Sequence, residues 1–311
     1  MKIGRAAWRT DTGRRRMRNE DAYVFEPPLF AIADGMGGAR AGEVAAGLAA
    51  AALRDGRAGV ADEASLQAAI AEANRRVWER SVADPSTAGM GTTVTVAFVD
   101  APAEQVVFGQ VGDSRAYRLR DDVLEQITTD HSLVAELMQS GVLTPEEAER
   151  HPQRSAITRA VGTESAIEVD VFTVPAELGD LVLLCSDGLT DMLTKNEIAE
   201  TILGAERDPD EAAVALVAAA NANGGEDNIT VVLFELVDGT PEEVATGSDP
   251  LGQTPGRDVE TGTDPTDPTL REPAADVRTH GAGSGGRLAA IALVALVLIL
   301  GALVLYWGIS T

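Results

Sequence analysis

Apolar and polar positions along the chain follow two different periods. Runs rich in β-branched residues, bounded by Gly, Pro or Asp, predict strands at "YVFE" (23–26), "LFAIA" (29–33), "TTVTVAFV" (92–99) and "QVVFGQV" (105–111). Further strands are predicted at "RAYRLR" (115–120), "VLEQIT" (123–128), "IEVDVFTV" (167–174), "DLVLLCS" (180–186) and "NITVVLFELV" (228–237). Tight turns such as Asp121-Asp122 imply hairpins, so much of the sheet is expected to be antiparallel. Helical spacing appears in "AGEVAAGLAAAALRD" (41–55), in "DEASLQAAIAEANRRVWERS" (62–81) with Asp62 or Ser65 as its cap, and in "DPDEAAVALVAAANAN" (208–223). Their Ala-rich faces suit close packing on sheets, and this order of elements indicates an α+β domain over residues 1–238. Residues 131–162 read as a mainly helical insertion between strands, a flap beside whatever site the strands build.

The pattern then changes twice. Residues 239–287 are rich in Pro, Thr, Gly and acids and poor in large apolar side chains, the composition of a disordered acidic linker that cannot offset its chain entropy. From 288 to 307 the chain reads "LAAIALVALVLILGALVLYW", an uncharged stretch of the roughly 20 residues a helix needs to span a bilayer. Arg271, Arg278 and Arg287 precede it. The positive-inside bias therefore predicts a single-pass cell-membrane protein with its large N-terminal domain in the cytoplasm and Tyr306 and Trp307 at the far interface. No secretory signal is read at the start, where charged residues lead into no apolar segment.

Composition narrows the chemistry. A formal charge of -24 over 311 residues argues against a binder of nucleic acid, whose phosphates need clustered cations. Against that acidity, Arg5, Arg9, Arg14, Arg15, Arg16 and Arg18 concentrate positive charge near the N-terminus. The single Cys185 excludes an internal disulfide, and its apolar neighbours mark it as a buried thiol in a reduced compartment rather than a nucleophile.

The candidate chemistry lies where apolar runs stop on an acid. "PPLFAIADGMGG" ends a strand at Asp34, "QVVFGQVGDSR" at Asp113 and "LVLLCSDGL" at Asp187, while "GGEDNITVVLFEL" puts Asp227 just before a strand. Any one of these is an ordinary turn sequence, so the signal is the repetition. If those strand ends meet, the acids repel unless cations join them, and hard oxygen donors suit Mg²⁺ or Mn²⁺. Zinc fits poorly with only three His and one Cys. Gly35, lacking a side chain, lets its own carbonyl approach a metal. Glu20 and Asp21 follow the arginines directly, and an Arg beside a metal pair describes a site that hydrolyses phosphoesters.

Taken in order, "RMRNED", "ADGMGG", "GTTVTV", "GDSRAY", "CSDGL" and "EDNITVV" resemble the metal-dependent serine/threonine protein phosphatases of the 2C family, bacterial type, over about residues 4 to 237. The resemblance implies a four-layer α/β/β/α sandwich of two antiparallel sheets flanked by helices, holding two Mn²⁺ or Mg²⁺ ions, with a third in bacterial members. It implies that Asp34 bridges both metals, that the Gly35 carbonyl and Asp187 and Asp227 are ligands, and that Asp113 with Asp187 holds the third ion. Glu20 and Asp21 would act through water on the ions, and Arg16 would clamp the substrate phosphate. The expected reaction is direct hydrolysis of phosphoserine or phosphothreonine in proteins by metal-activated water, opposing Ser/Thr kinases. One departure is Met36, where animal members often carry a His proposed as general acid; His131 and His151 are the remaining candidates for that role. Two alternatives are a catalytically weak phosphoprotein-binding scaffold, opposed by the full set of acids, and a nucleotide-binding loop at "DGMGG", which lacks the required Gly-Lys-Ser/Thr ending.

Overall fold

The β-branched runs pair into two antiparallel sheets. The computed structural model describes residues 1–37, 41–144, 147–148 and 150–239. One sheet is ordered β1 (Lys2–Asp11), β11 (Ile229–Val237), β10 (Leu181–Cys185), β7 (Arg115–Arg120) and β8 (Val123–Gln126). The other runs β2 (Asp21–Glu26), β3 (Leu29–Met36), β5 (Val94–Asp100), β6 (Gln105–Val111) and β9 (Asp170–Pro175), with the short β4 (Gly91–Thr92) against β3. Asp121 and Asp122 close the β7–β8 hairpin with φ of 49° and 61°, the left-handed pair that a two-residue hairpin loop needs and that Asp tolerates.

Three apolar layers hold the sandwich. Between the sheets, Phe30 stacks on Phe234 with centroids 4.4 Å apart, and Ile32, Phe108, Leu184 and Val232 fill the space around them. On the outer face of the second sheet lie α1 (Ala41–Gly56) and α2 (Glu63–Ala83), whose Ala45, Ala46, Ala49, Leu66 and Ile70 pack on Val96 and Val107. On the outer face of the first lie α5 (Lys195–Gly204) and α6 (Pro209–Ala222), with Ile198, Ile202, Ala213 and Leu216 against Leu183 and Leu233. The expected α/β/β/α order is therefore present among the described residues. Both candidate caps of α2 act together: Asp62 accepts from the Ser65 amide, and the Ser65 hydroxyl accepts from the Asp62 amide.

Several elements differ from the sequence reading. β1 was hidden by its arginines: Ala6 and Trp8 turn into the space between the sheets, while on the other face Ala7 is buried under the helices and Arg5 and Arg9 pair with Asp208, Glu235 and Asp210. The run 92–99 breaks at Thr93, whose amide and hydroxyl both engage the Asp34 backbone. The insertion 131–162 is less helical than expected: α3 (Leu133–Gln139) is followed largely by turns among its described residues. Two helices went unpredicted, the short α4 (Asp187–Thr190) and α5, although Thr194 and Glu197 form the reciprocal cap that announces α5 in the sequence. Cys185 is fully buried in β10, and burial pushes its thiol up to about 12, so it is inert.

The linker 239–287, apart from Gly239, and the apolar stretch 288–307 lie outside the described residues. Among the described residues no helix is long and apolar enough to cross a membrane.

Candidate metal centre

The two sheets bring their acid-bearing strand ends to one place. Antiparallel pairing of β2 with β3 sets Asp21 opposite Asp34. Asp187 opens α4 immediately past β10, Asp227 precedes β11, and Asp113 follows β6. The Asp34 backbone is fixed on both sides: its amide donates to the Thr93 hydroxyl at 3.0 Å, and its carbonyl accepts from the Thr92 hydroxyl and the Thr93 amide, each at 2.8 Å. Gly35 is required sterically as well as for its carbonyl, since a Cβ there would stand 2.2 Å from the Gly42 carbonyl oxygen and 2.5 Å from that of Glu20. Gly188 is confined in the same way, with a Cβ falling 2.0 Å from the Asn228 carbonyl oxygen.

This convergence is costly for the acids. Burial, then repulsion from Asp187 and Asp21, raises Asp34 well above the usual carboxylate range. Burial pushes Asp21 to about 7 despite the Thr230 and Ser186 hydroxyls, and burial plus the Asp187 charge pushes Asp113 to about 7. Asp187 rises to about 6 through burial and the neighbouring Asp191, while a hydrogen bond from Asp34 favours its charged form. Asp21, Asp113 and Asp187 each keep one buried carboxylate oxygen, Oδ1, with no partner. Among the described residues no three His, Cys, Asp or Glu side chains stand as a ready ligand set. The donor chemistry nonetheless fits hard divalent cations: sealed, unpaired carboxylate oxygens that repel one another.

The other expected residues are placed as follows. Arg16 reaches the cluster, but its guanidinium bonds Asp227 at 2.5 Å, joining two residues whose expected roles were separate. The second Asp227 oxygen accepts from the Asn228 amide at 2.8 Å. Glu20 lies between Arg16 and the start of α1, near the Asp227 charge, and is raised by its burial. The Oδ2 of Asp21 is held by Ser186 at 2.9 Å and Thr230 at 2.6 Å. Met36 pairs with Gly91 across β3 and β4.

His131 is withdrawn as a proton donor to a leaving group. Its side chain is buried, burial lowers its pKa, and its Nδ1 accepts from the Gly112 amide at 3.3 Å. His151 in the flap accepts from the Gln153 amide through Nδ1. A cavity of about 480 Å³ opens beside Asp113 and Asp187, lined by Arg115, Tyr117, Asp130, Arg154 and Asp191.

Sequence reading missed three contributors. Ser186 and Thr230 hold Asp21, and Asn228 ties the arginine loop to the site: its amide group donates to the carbonyls of Thr12 at 3.0 Å and Arg18 at 2.8 Å, and its oxygen accepts from the Glu20 amide at 2.8 Å. Asn228 was visible inside "EDNITVV"; Ser186 and Thr230 carried no signal of their own.

A family description, Protein phosphatase 2C, matches residues 13–227. The chain is 44% identical over 242 residues to the serine/threonine phosphatase stp of Listeria monocytogenes, covering 74% of this chain and 95% of that protein. It aligns with the crystal structure of the Mycobacterium tuberculosis serine/threonine phosphatase PstP/Ppp with TM-score 0.71 and 40% identity, over 76% of this chain and all of that one. It also aligns with the catalytic domain of PstP in complex with two manganese ions, with TM-score 0.69 and 37% identity, over 76% of this chain and 99% of that one.

Proposed function

The chain belongs to the protein phosphatase 2C family and is a protein serine/threonine phosphatase, and from that premise we propose that Asp34, Asp187, Asp227 and the Gly35 carbonyl hold a pair of Mn²⁺ or Mg²⁺ ions, with Asp113 and Asp187 holding a third. When bound, such ions acidify water and neutralise charge on phosphoryl oxygens. The observation that carries the assignment is the set of three sealed, unpaired carboxylate oxygens, on Asp21, Asp113 and Asp187, whose charges all bear on Asp34.

The chain's own groups divide the remaining work. Arg16 presents a planar fork on an exposed loop, and a substrate phosphate competes with Asp227 for it, so binding the phosphate frees Asp227 for its role in the cluster. Asn228 keeps that loop in register through its bonds to Thr12 and Arg18. Asp21, with Oδ2 fixed by Ser186 and Thr230, has Oδ1 left to accept from water in the site, and Glu20 serves the same purpose beside Arg16. Met36 carries no proton to give and His131 is buried, so we assign the proton of the leaving hydroxyl to water.

We read residues 288–307 as a membrane anchor that holds residues 1–238 at the cytoplasmic face on the linker 239–287, which raises the effective concentration against phosphorylated membrane proteins, Ser/Thr kinases among them. The uncharged length and the flanking arginines support this. Fractionation of cells expressing the full chain and a chain ending at residue 287 tests it: the full chain is expected with the membranes, and an unchanged distribution of the shortened chain overturns the anchor.

Catalysis is tested by phosphothreonine-peptide hydrolysis with the purified full chain in Mn²⁺, in chelator, and as Asp34→Ala. Turnover is expected only in Mn²⁺ and only with Asp34. Equal turnover by the variant would remove Asp34 from the mechanism.

A further inference from the structure

His131 is buried at 4% exposure where three segments meet, and every polar group it has is used. Its amide donates to the Gly112 carbonyl at 2.8 Å, and its Nδ1 accepts from the Gly112 amide at 3.3 Å, so both polar atoms of one glycine close on one histidine. Its carbonyl accepts from the Thr158 amide, on the exit side of the 131–162 insertion, at 2.8 Å. With Nδ1 accepting, the ring proton sits on Nε2, which stands 3.2 Å from Asp170 Oδ2 at the start of β9. Arg159, also from the exit side, bonds the other Asp170 oxygen at 2.8 Å. The preceding residue, Asp130, is locked to β7 by Arg115 at 2.7 Å.

Gly112 is the residue before Asp113, and its φ of 104° is open only to glycine; a Cβ would fall 2.6 Å from Thr93 Cγ2. Side-chain contacts from Gln110 to the Gly112 carbonyl at 2.9 Å and the Ser114 carbonyl at 2.8 Å brace the same turn. Asp113 itself has an unpaired buried Oδ1, so no side-chain bond to that oxygen sets its direction. The turn does.

We propose that His131 is the positioning residue for Asp113: by closing both polar groups of Gly112 it sets the direction of the Asp113 carboxylate, and by binding Thr158 and Asp170 it couples that direction to the base of the flap. The inference rests on the reading of Asp113 as a ligand for a third divalent ion. The Gly112 contact does the aiming, and the Asp170 contact secures the flap. These two functions sit on different ring nitrogens and can be separated.

Asn places its oxygen where Nδ1 lies, and Gln places its amide where Nε2 lies. His131→Asn keeps an acceptor for Gly112 and loses Asp170; His131→Gln keeps a donor for Asp170 and leaves the buried Gly112 amide unpaired. Mn²⁺ binding to the full chain is measured by titration calorimetry, with far-ultraviolet circular dichroism as the control for folding and Asp113→Asn as the control for the ligand. Asp113→Asn is expected to remove the weakest Mn²⁺ step. His131→Gln is expected to weaken that step tenfold or more with the tighter steps unchanged, and His131→Asn to stay within about threefold of wild type. If Asp113→Asn leaves the isotherm unchanged, the ligand reading and the inference fall together. If it removes the step but the two His131 variants behave alike, the inference alone is overturned. Should His131→Gln fail to fold, His131→Ala, which loses both ring contacts, takes its place: a tenfold loss of that step beside near wild-type binding by His131→Asn supports the proposal, and equal affinities of the two refute it.

Discussion

Without divalent ions the acid cluster destabilises the fold, and by an amount that depends on pH. Asp187 titrates near 3.8 when exposed and at about 6 in the folded chain. A raised carboxylate binds its proton more tightly folded than unfolded, so this cost is absent below about pH 4, grows as pH rises, and is complete above the folded value. At about 1.4 kcal/mol per pKa unit, Asp187 alone costs on the order of 2 kcal/mol at pH 5 and on the order of 3 kcal/mol at pH 8. Asp21 and Asp113, both at about 7, act in the same direction, and because the acids repel one another their contributions do not simply add. Urea unfolding of wild type and Asp187→Asn in chelator reads the difference directly. The variant is expected to be the more stable at pH 8, with its advantage on the order of 1 kcal/mol larger there than at pH 5, and in Mn²⁺ the order should reverse because the wild type gains the binding energy. A difference that is the same at both pH values, or a variant less stable than wild type in chelator at pH 8, refutes the account of the cluster.

Two substitutions probe how the site is held. Asn228→Ala removes three hydrogen bonds from a buried side chain and leaves the Glu20 amide and the Thr12 and Arg18 carbonyls without it; a loss of about 3 kcal/mol in urea unfolding is expected, with KM for a phosphopeptide rising more than kcat falls, because the Arg16 loop loosens while the acids stay. Gly188→Ala drives a Cβ to 2.0 Å from the Asn228 carbonyl oxygen, a backbone atom that cannot turn aside; pushing α4 off β11 separates Asp187 from Asp227, so stability should fall by about 1–3 kcal/mol and Mn²⁺ affinity by tenfold or more, measured by calorimetry.

Much of this protein is set by local chemistry. Alternation of β-branched residues, the Asp121-Asp122 hairpin and the Ala-rich helices predict an α+β domain with largely antiparallel strands, because side-chain period and turn conformation act within a few residues, whereas the sandwich was implied only by the family resemblance. The acids at strand ends were legible through repetition: one apolar run that stops on an acid is an ordinary turn, but runs that stop on Asp34, Asp113 and Asp187 in one chain are not. β1 was not legible, since a strand whose buried Ala6, Ala7 and Trp8 stand between Arg5 and Arg9 looks in sequence like a basic tail. Other features arise only when distant strands come into register. Arg16 meets Asp227 across 211 positions, and Asp21 meets Thr230 across 209. Hydrogen bonds of that span depend on how β1 and β2 fall beside β11 and α4, which no local pattern encodes. His131 shows the division most clearly: in sequence it was one of three histidines and a candidate acid, and only its burial against Gly112 and Asp170 makes it a brace for a neighbouring carboxylate.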